Sequence, residues 1–154
     1  MRKVVLCGLM LLVSLGLVAP AAQASDQSIR DVVSTQAQRQ AKEDARFIKA
    51  ARKLSTRAQK KKAKSAAGRQ SASVKLWRDA LAAEAPETEP VASAKKKLLD
   101  ALDLYTTGLR RFQQGLNMAL RNGGNSGITK AKRAIKNMNL ASQRAELAAK
   151  LLFI

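Results

Sequence analysis

Ser93-Ala94-Lys95-Lys96 has the S-x-x-K spacing that places a lysine one helical turn from a candidate serine nucleophile. The companion motifs that complete such a site are missing, and the chain is too short for the fold that carries them. Gly123-Gly124-Asn125-Ser126-Gly127 falls short of G-x-S-x-G, because Ile128 stands where the last glycine would be. It is expected to be a helix–helix turn. Glu87 and Glu89 flank Thr88, and Asp100 and Asp103 share a helix face. Neither pair approaches the six or more oxygens that calcium takes.

Histidine is absent from the whole chain, which removes Ser-His-Asp and Cys-His catalysis, histidine-ligated haem and the usual zinc sites. These observations point to a protein that is not an enzyme, with no catalytic residue, no metal site and no cofactor.

The conspicuous chemistry is charge. Ser55–Gln70, "STRAQKKKAKSAAGRQ", holds six cations and no acid, and the chain carries a formal net charge of +18. What that charge meets depends on location. Arg2 and Lys3 precede an apolar run from Val4 to Ala19, then Pro20 and the A-x-A site Ala22-Gln23-Ala24. This is the pattern of a secretory signal peptide, residues 1–24, with cleavage expected after Ala24. The run is short for a membrane span, which takes about 20 apolar residues. Cleavage would leave one helical domain, residues 25–154, with 27 cations, 11 anions and no cysteine, since Cys7 is the only one. No transmembrane span is expected in that mature chain. The expected location is periplasmic or extracellular. The polyanions there are anionic lipid or other envelope components, so no physiological nucleic acid is expected. Aromatic residues, which single-strand binders use as stacking platforms, are only 3% of the chain.

Alanine, lysine, leucine and arginine dominate, which favours helix throughout. The expected fold is all-α, an antiparallel bundle of about four helices with a long basic first helix. The helices are read as Ser28 to about Ala67, Ser71 to Ala85, Glu89 to Arg121 and Asn125 to about Leu152. A capping box is read at Ser28–Asp31. In the third, Leu98, Leu102, Tyr105, Leu109, Phe112, Leu116 and Ala119 alternate steps of four and three, a core-facing stripe. Ala94, Ala101, Gly108 and Gly115 form a second row spaced by seven, where another helix should approach closely. The fourth helix offers Ile128, Ala131, Ile135, Met138, Ala145, Ala149 and Leu152. Phe47, Trp77, Tyr105 and Phe112 are the expected bulky core residues. The apolar end, Leu151 to Ile154, is expected to pack on the bundle.

At about 100° per residue, Arg39, Lys42, Arg46, Lys49, Lys53, Arg57, Lys60 and Lys64 fall in one band on the first helix. The band is about 37 Å long at roughly 1.5 Å per residue. Such a stripe is ordinarily the solvated back of a bundle helix, but its almost single sign, and the net +9 of residues 25–70 against −2 for 71–90, make it a candidate polyanion-binding surface as well. Ile29, Val33, Ala37, Ala41, Ala45, Phe47, Ile48, Ala51, Leu54 and Ala58 lie broadly opposite. Asp44 and Arg52 fall on that apolar side, where an interhelical ion pair would suit them. The leading expectation is an exported, non-enzymatic bundle that binds an anionic lipid or other cell-envelope polyanion. The alternative is a periplasmic chaperone or interaction module for acidic or unfolded protein partners. A third is a subunit that serves a catalytic partner.

Overall fold

The computed structural model describes residues 21–123 and 125–154, with side chains from Ser25 onward. The signal-peptide reading rests on residues that lie largely outside this range. Four helices make up the described residues: α1 Ala21–Ala51, α2 Arg57–Ala83, α3 Glu89–Asn122 and α4 Asn125–Lys150. No strand occurs among them.

The all-α, four-helix expectation holds, with a first helix of 31 residues that stops well short of the Ala67 end read for it. It ends at Ala51, and the chain reverses through Arg52–Thr56. Ser55-Thr56 begins a capping box: the Thr56 hydroxyl accepts from Gln59 N at 3.2 Å, and Gln59 Oε1 accepts from Thr56 N at 3.1 Å. The same oxygen accepts from Ser55 N and Ser55 Oγ. One glutamine thus satisfies the donors that open α2. Leu54, buried, fastens the turn to the core. The S/T-x-x-Q signature was present in the sequence but was overridden by the continuous charge pattern. Conversely, Gly68, which follows the Ala67 end read for the first helix, lies inside α2 against Gln113. The box at Ser28 is absent as well, because α1 is already helical there; Ser28 Oγ instead donates to Glu84, which caps the C-terminus of α2.

Paired residues give the topology. Gln40 meets Ser73 and Asp44 meets Gln70 between α1 and α2. Arg78 meets Asp103 between α2 and α3, Gly115 meets Gly127 between α3 and α4, and Arg30 meets the Leu152 carbonyl between α1 and the end of α4. As the number rises on one helix it falls on its neighbour, so adjacent helices are antiparallel. Asp44–Tyr105 and Phe47–Phe112 rise together across the diagonal from α1 to α3. The bundle runs up-down-up-down.

The third-helix stripe is buried as read, with Tyr105 half-buried. In α4, Ala131 and Met138 are buried, as is Leu152 just past its end, while Ile128, Ile135, Ala145 and Ala149 pack at the core edge. Leu152 packs inward, but Leu151, Phe153 and Ile154 stand exposed. The first helix departs most from its reading: Ala37, Ala41, Ala45, Ile48 and Ala58 are exposed, and the inward line includes Gln40 and Asp44.

The α3–α4 pair has the most extensive contact in the bundle. Its seam is made of small residues on both sides. Ala94, Ala101, Gly108 and Gly115 are all buried, and α4 answers with a matching row at Gly127, Ala134, Ala141 and Ala148. A Cβ on Gly115 would come within 2.7 Å of Gly127 O and Ala131 N, which are backbone atoms that cannot turn away. A Cβ on Gly108 would instead meet Cγ of the buried Met138, a side chain that can repack where a backbone atom cannot. Close packing, not a hinge, explains these glycines. Gly115→Ala should therefore lower stability by about 1–3 kcal/mol through forced separation of the helices. Gly108→Ala should cost less, a ranking that urea-denaturation midpoints would check.

Candidate functional site

Four helices that alternate in direction share one level near the middle of the bundle. Asp44 of α1, Gln70 of α2 and Tyr105 of α3 meet there, and Met138 and Asn139 of α4 line the same cleft. This level divides the charges. On the side of the 52–56 turn lie residues 45–69, with ten Lys or Arg, and residues 106–138, with seven. Neither stretch contains an Asp or Glu. All 11 acids of the chain lie at the level or beyond it, among residues 25–44, 70–105 and 139–154, where ten cations balance them. One half-bundle, about 20 Å long at 1.5 Å per residue, is therefore purely cationic. The other is close to neutral.

The basic half has two grooves beside the α1–α2 hairpin. One, of about 460 Å³, has Arg46, Lys49 and Lys53 on one wall and Lys62 and Arg69 on the other, over Ala50 and Ala66. Gln59, the cap residue of α2, lines it too. The second, of about 300 Å³, brings Arg52 and Lys60 to Lys132 and Asn125 at the start of α4. Within the first groove only Arg46 has an acidic partner among the described residues, Glu43 at 2.5 Å. A polyanion entering either groove meets cations from two helices, and the pooled field of seventeen cations attracts it from a distance.

The predicted band is corrected accordingly. Its eight residues do not form a single line on one helix, because the chain turns back after Ala51. Arg46 and Lys49 end α1, Lys53 sits in the turn, and Arg57, Lys60 and Lys64 open α2. These six belong to the basic half. Arg39 and Lys42 lie past the level, beside Glu43 and Asp44. Sequence reasoning missed Lys62 and Arg69 as wall residues and the whole contribution of α3 and α4: Arg110, Arg111, Arg121, Lys130, Lys132, Arg133 and Lys136. A signal was available, since no acid occurs between Asp103 and Glu146.

No protein-family model, curated protein or solved structure matches this chain.

The dividing level has its own chemistry. Asp44 Oδ1 accepts from the Tyr105 hydroxyl at 2.8 Å, from Gln40 Nε2 at 3.5 Å and from Gln70 Nε2. No ion pair joins Asp44 to Arg52 or to any other cation among the described residues. Neither Asp44 nor Arg52 makes an interhelical ion pair among the described residues: neutral donors surround Asp44, and Arg52 stands exposed in the 52–56 turn. Burial pushes the Asp44 carboxyl above its ordinary range, with the three hydrogen bonds opposing the shift. Tyr105 is pushed upward as well, first by burial and then by the neighbouring carboxylate. Asp44 and Tyr105 also line a cleft of about 320 Å³ whose walls are Phe47, Ile48, Ile135 and Met138.

The strings that resembled catalytic motifs have other roles. Ser93 and Lys96 are both exposed, whereas Lys95 is buried and donates to the carbonyls of Ala82 and Glu84 at the end of α2. Asp103 is held by Arg78 through two hydrogen bonds. Glu87 donates its backbone N–H to Asp26, which also accepts from the Thr88 hydroxyl at 2.6 Å. Those two bonds, with Arg30 nearby, hold the Asp26 carboxyl below its ordinary value and tie the start of α1 to the start of α3. No group of three metal-ligating side chains occurs among the described residues, and no described helix is long and apolar enough to cross a membrane.

The Asp44 shift predicts a pH effect of definite sign. A carboxyl whose folded pKa lies above its unfolded value holds more protons in the folded state between the two values, so stability falls as pH rises through that window. The window opens at the ordinary value of 3.8 and ends above the raised one. Asp44→Asn keeps the Oδ1 acceptor and removes the ionisation. Thermal midpoints across this window should show the wild type losing stability relative to Asp44→Asn as pH rises; parallel curves would refute the shift.

Proposed function

We propose that this protein is an exported, non-enzymatic bundle whose cationic half binds an anionic cell-envelope surface. The observation that carries the reading is the separation of charge along the bundle axis. A chain that needed cations only for solvation would gain by interleaving the two signs, which relieves self-repulsion. Here seventeen cations share one half without a single acid, at a standing electrostatic cost. Binding a polyanion offsets that cost.

The N-terminal pattern supports export, and an exported cationic end faces lipid headgroups and envelope phosphates before any nucleic acid. Each well-placed cation near such a surface contributes about 1 kcal/mol. Adhesion rather than insertion fits the residues, since Ile48 and Met118 are the only large apolar side chains exposed in the basic half among the described residues.

The test is co-sedimentation of the protein, in the form the cell processes, with anionic and with neutral vesicles across a range of salt. Binding to anionic vesicles alone, weakening steeply with salt, is expected. Reversal of Lys53, Arg57, Lys60 and Lys64 to Glu should abolish it, with helicity by circular dichroism as the control for folding. Indifference to anionic lipid at physiological salt would overturn the reading.

A further inference from the structure

The groove between α1 and α2 carries opposed cations at both ends and small residues along its floor. Gln40–Ser73 and Asp44–Gln70 set the antiparallel register of the two helices. Continued toward the 52–56 turn, that register puts Arg46 across from Arg69 and Lys53 across from Lys62, and all four line the groove. On α2, Lys62 and Arg69 lie two turns apart, about 10 Å at roughly 1.5 Å per residue. Ala50 and Ala66 lie between the two ends, with Lys49 on the α1 wall.

The two ends differ in chemistry. Each guanidinium at the arginine end is anchored once on its own helix: Arg46 Nη1 donates to Glu43 at 2.5 Å, and Arg69 Nη1 donates to Ser65 Oγ at 3.0 Å. No other hydrogen bond uses either fork among the described residues, so an anion between them can accept from both. Lys53 and Lys62 make no ion pair among the described residues and offer flexible point charges. Gln59 adds a neutral donor. Its Oε1 is committed to the α2 cap, while its Nε2 donates to nothing among the described residues.

We infer that this groove binds a ligand carrying two phosphate groups about 10 Å apart on an uncharged frame, one phosphate at each end. A single phosphate would fill one end and leave the cations of the other repelling each other. Two at this spacing relieve both ends, and the alanine floor leaves room for the frame between them. That such a ligand is the headgroup of an envelope lipid rests on the polyanion reading above. The preference for paired phosphates rests on the groove alone.

Isothermal titration calorimetry at physiological salt tests the inference with three probes. Hexanediol bisphosphate spans the groove, ethanediol bisphosphate is too short to reach both ends, and hexyl phosphate has one anionic group. The first should bind about a hundredfold more tightly than the other two, the gain expected when two linked contacts form together. Lys53→Ala with Lys62→Ala should remove that gain and leave hexyl phosphate binding nearly unchanged. Arg69→Lys, which keeps the charge but loses the fork, should weaken hexanediol bisphosphate and hexyl phosphate alike. Lys130→Ala with Lys136→Ala removes equal charge at exposed positions outside the groove and should preserve the ratio between probes. Equal affinity for the three probes would overturn the inference, even with adhesion to anionic vesicles intact. So would an equal loss of hexanediol bisphosphate binding in the two double variants. Tight binding of hexanediol bisphosphate by a protein indifferent to anionic vesicles would uphold the groove and assign its ligand to solution rather than to a membrane.

Discussion

The reciprocal hydrogen bonds between Thr56 and Gln59 decide where the most basic stretch of the chain changes direction. Without that reversal, residues 39–64 would extend as a single cationic helix about 37 Å long. With it, the cations of α1 and α2 are doubled back on each other and brought beside those of α3 and α4. Concentrating like charge raises the energy of the folded state, and the core must outweigh it. The close α3–α4 seam supplies much of that resistance. Glycine and alanine on both helices let the backbones approach closely enough to bury the Leu98-to-Leu116 stripe. The polar layer at Asp44, Gln70 and Tyr105 sits where the cationic half ends. A slipped register would strand the Asp44 carboxylate without its donors, a strong penalty in a partly buried site.

Unbalanced positive charge and most of the exposed large apolar side chains occupy opposite halves of one bundle, and each constrains what the other can do. A cationic end is suited to anionic surfaces but discourages self-association. The near-neutral half carries Asp26, Glu84, Glu87 and Glu89 around the α2–α3 loop and leaves leucines free on the α3–α4 face. An axis with two chemically different ends gives a small helical protein a direction.

Much of this architecture was legible in the sequence, and the reasons for the misses are physical. The third helix was read closely because Leu98 to Ala119 keeps an unbroken step of four and three, and Thr88-Glu89-Pro90 and Gly123 punctuate it. The break at 52–56 was missed because a run of lysine and alanine has helix propensity on both sides of the cap. The inward line of α1 was misread because Gln40 and Asp44 occupy core-facing positions that an apolar count passes over. The basic site was only partly legible. Six of its residues were named, but a stripe on one helix is a local pattern, whereas the half-bundle is assembled by topology from two stretches nearly 40 residues apart. What brings Lys60 to Lys132 is the alternation of four helices, which no window of sequence contains.

The central claim is that position along the bundle, not total charge, makes the cations a binding surface. The most direct measurement compares two variants that lose the same four charges. One replaces Arg110, Arg111, Lys130 and Lys132 by Gln in the basic half; the other replaces Lys42, Lys75, Lys96 and Lys150 by Gln beyond the dividing level. All eight side chains are exposed. Affinity for anionic vesicles, followed against salt, should fall in the first variant together with its salt dependence and stay near wild type in the second. Equal losses in the two variants, or no loss in the first, would contradict the account.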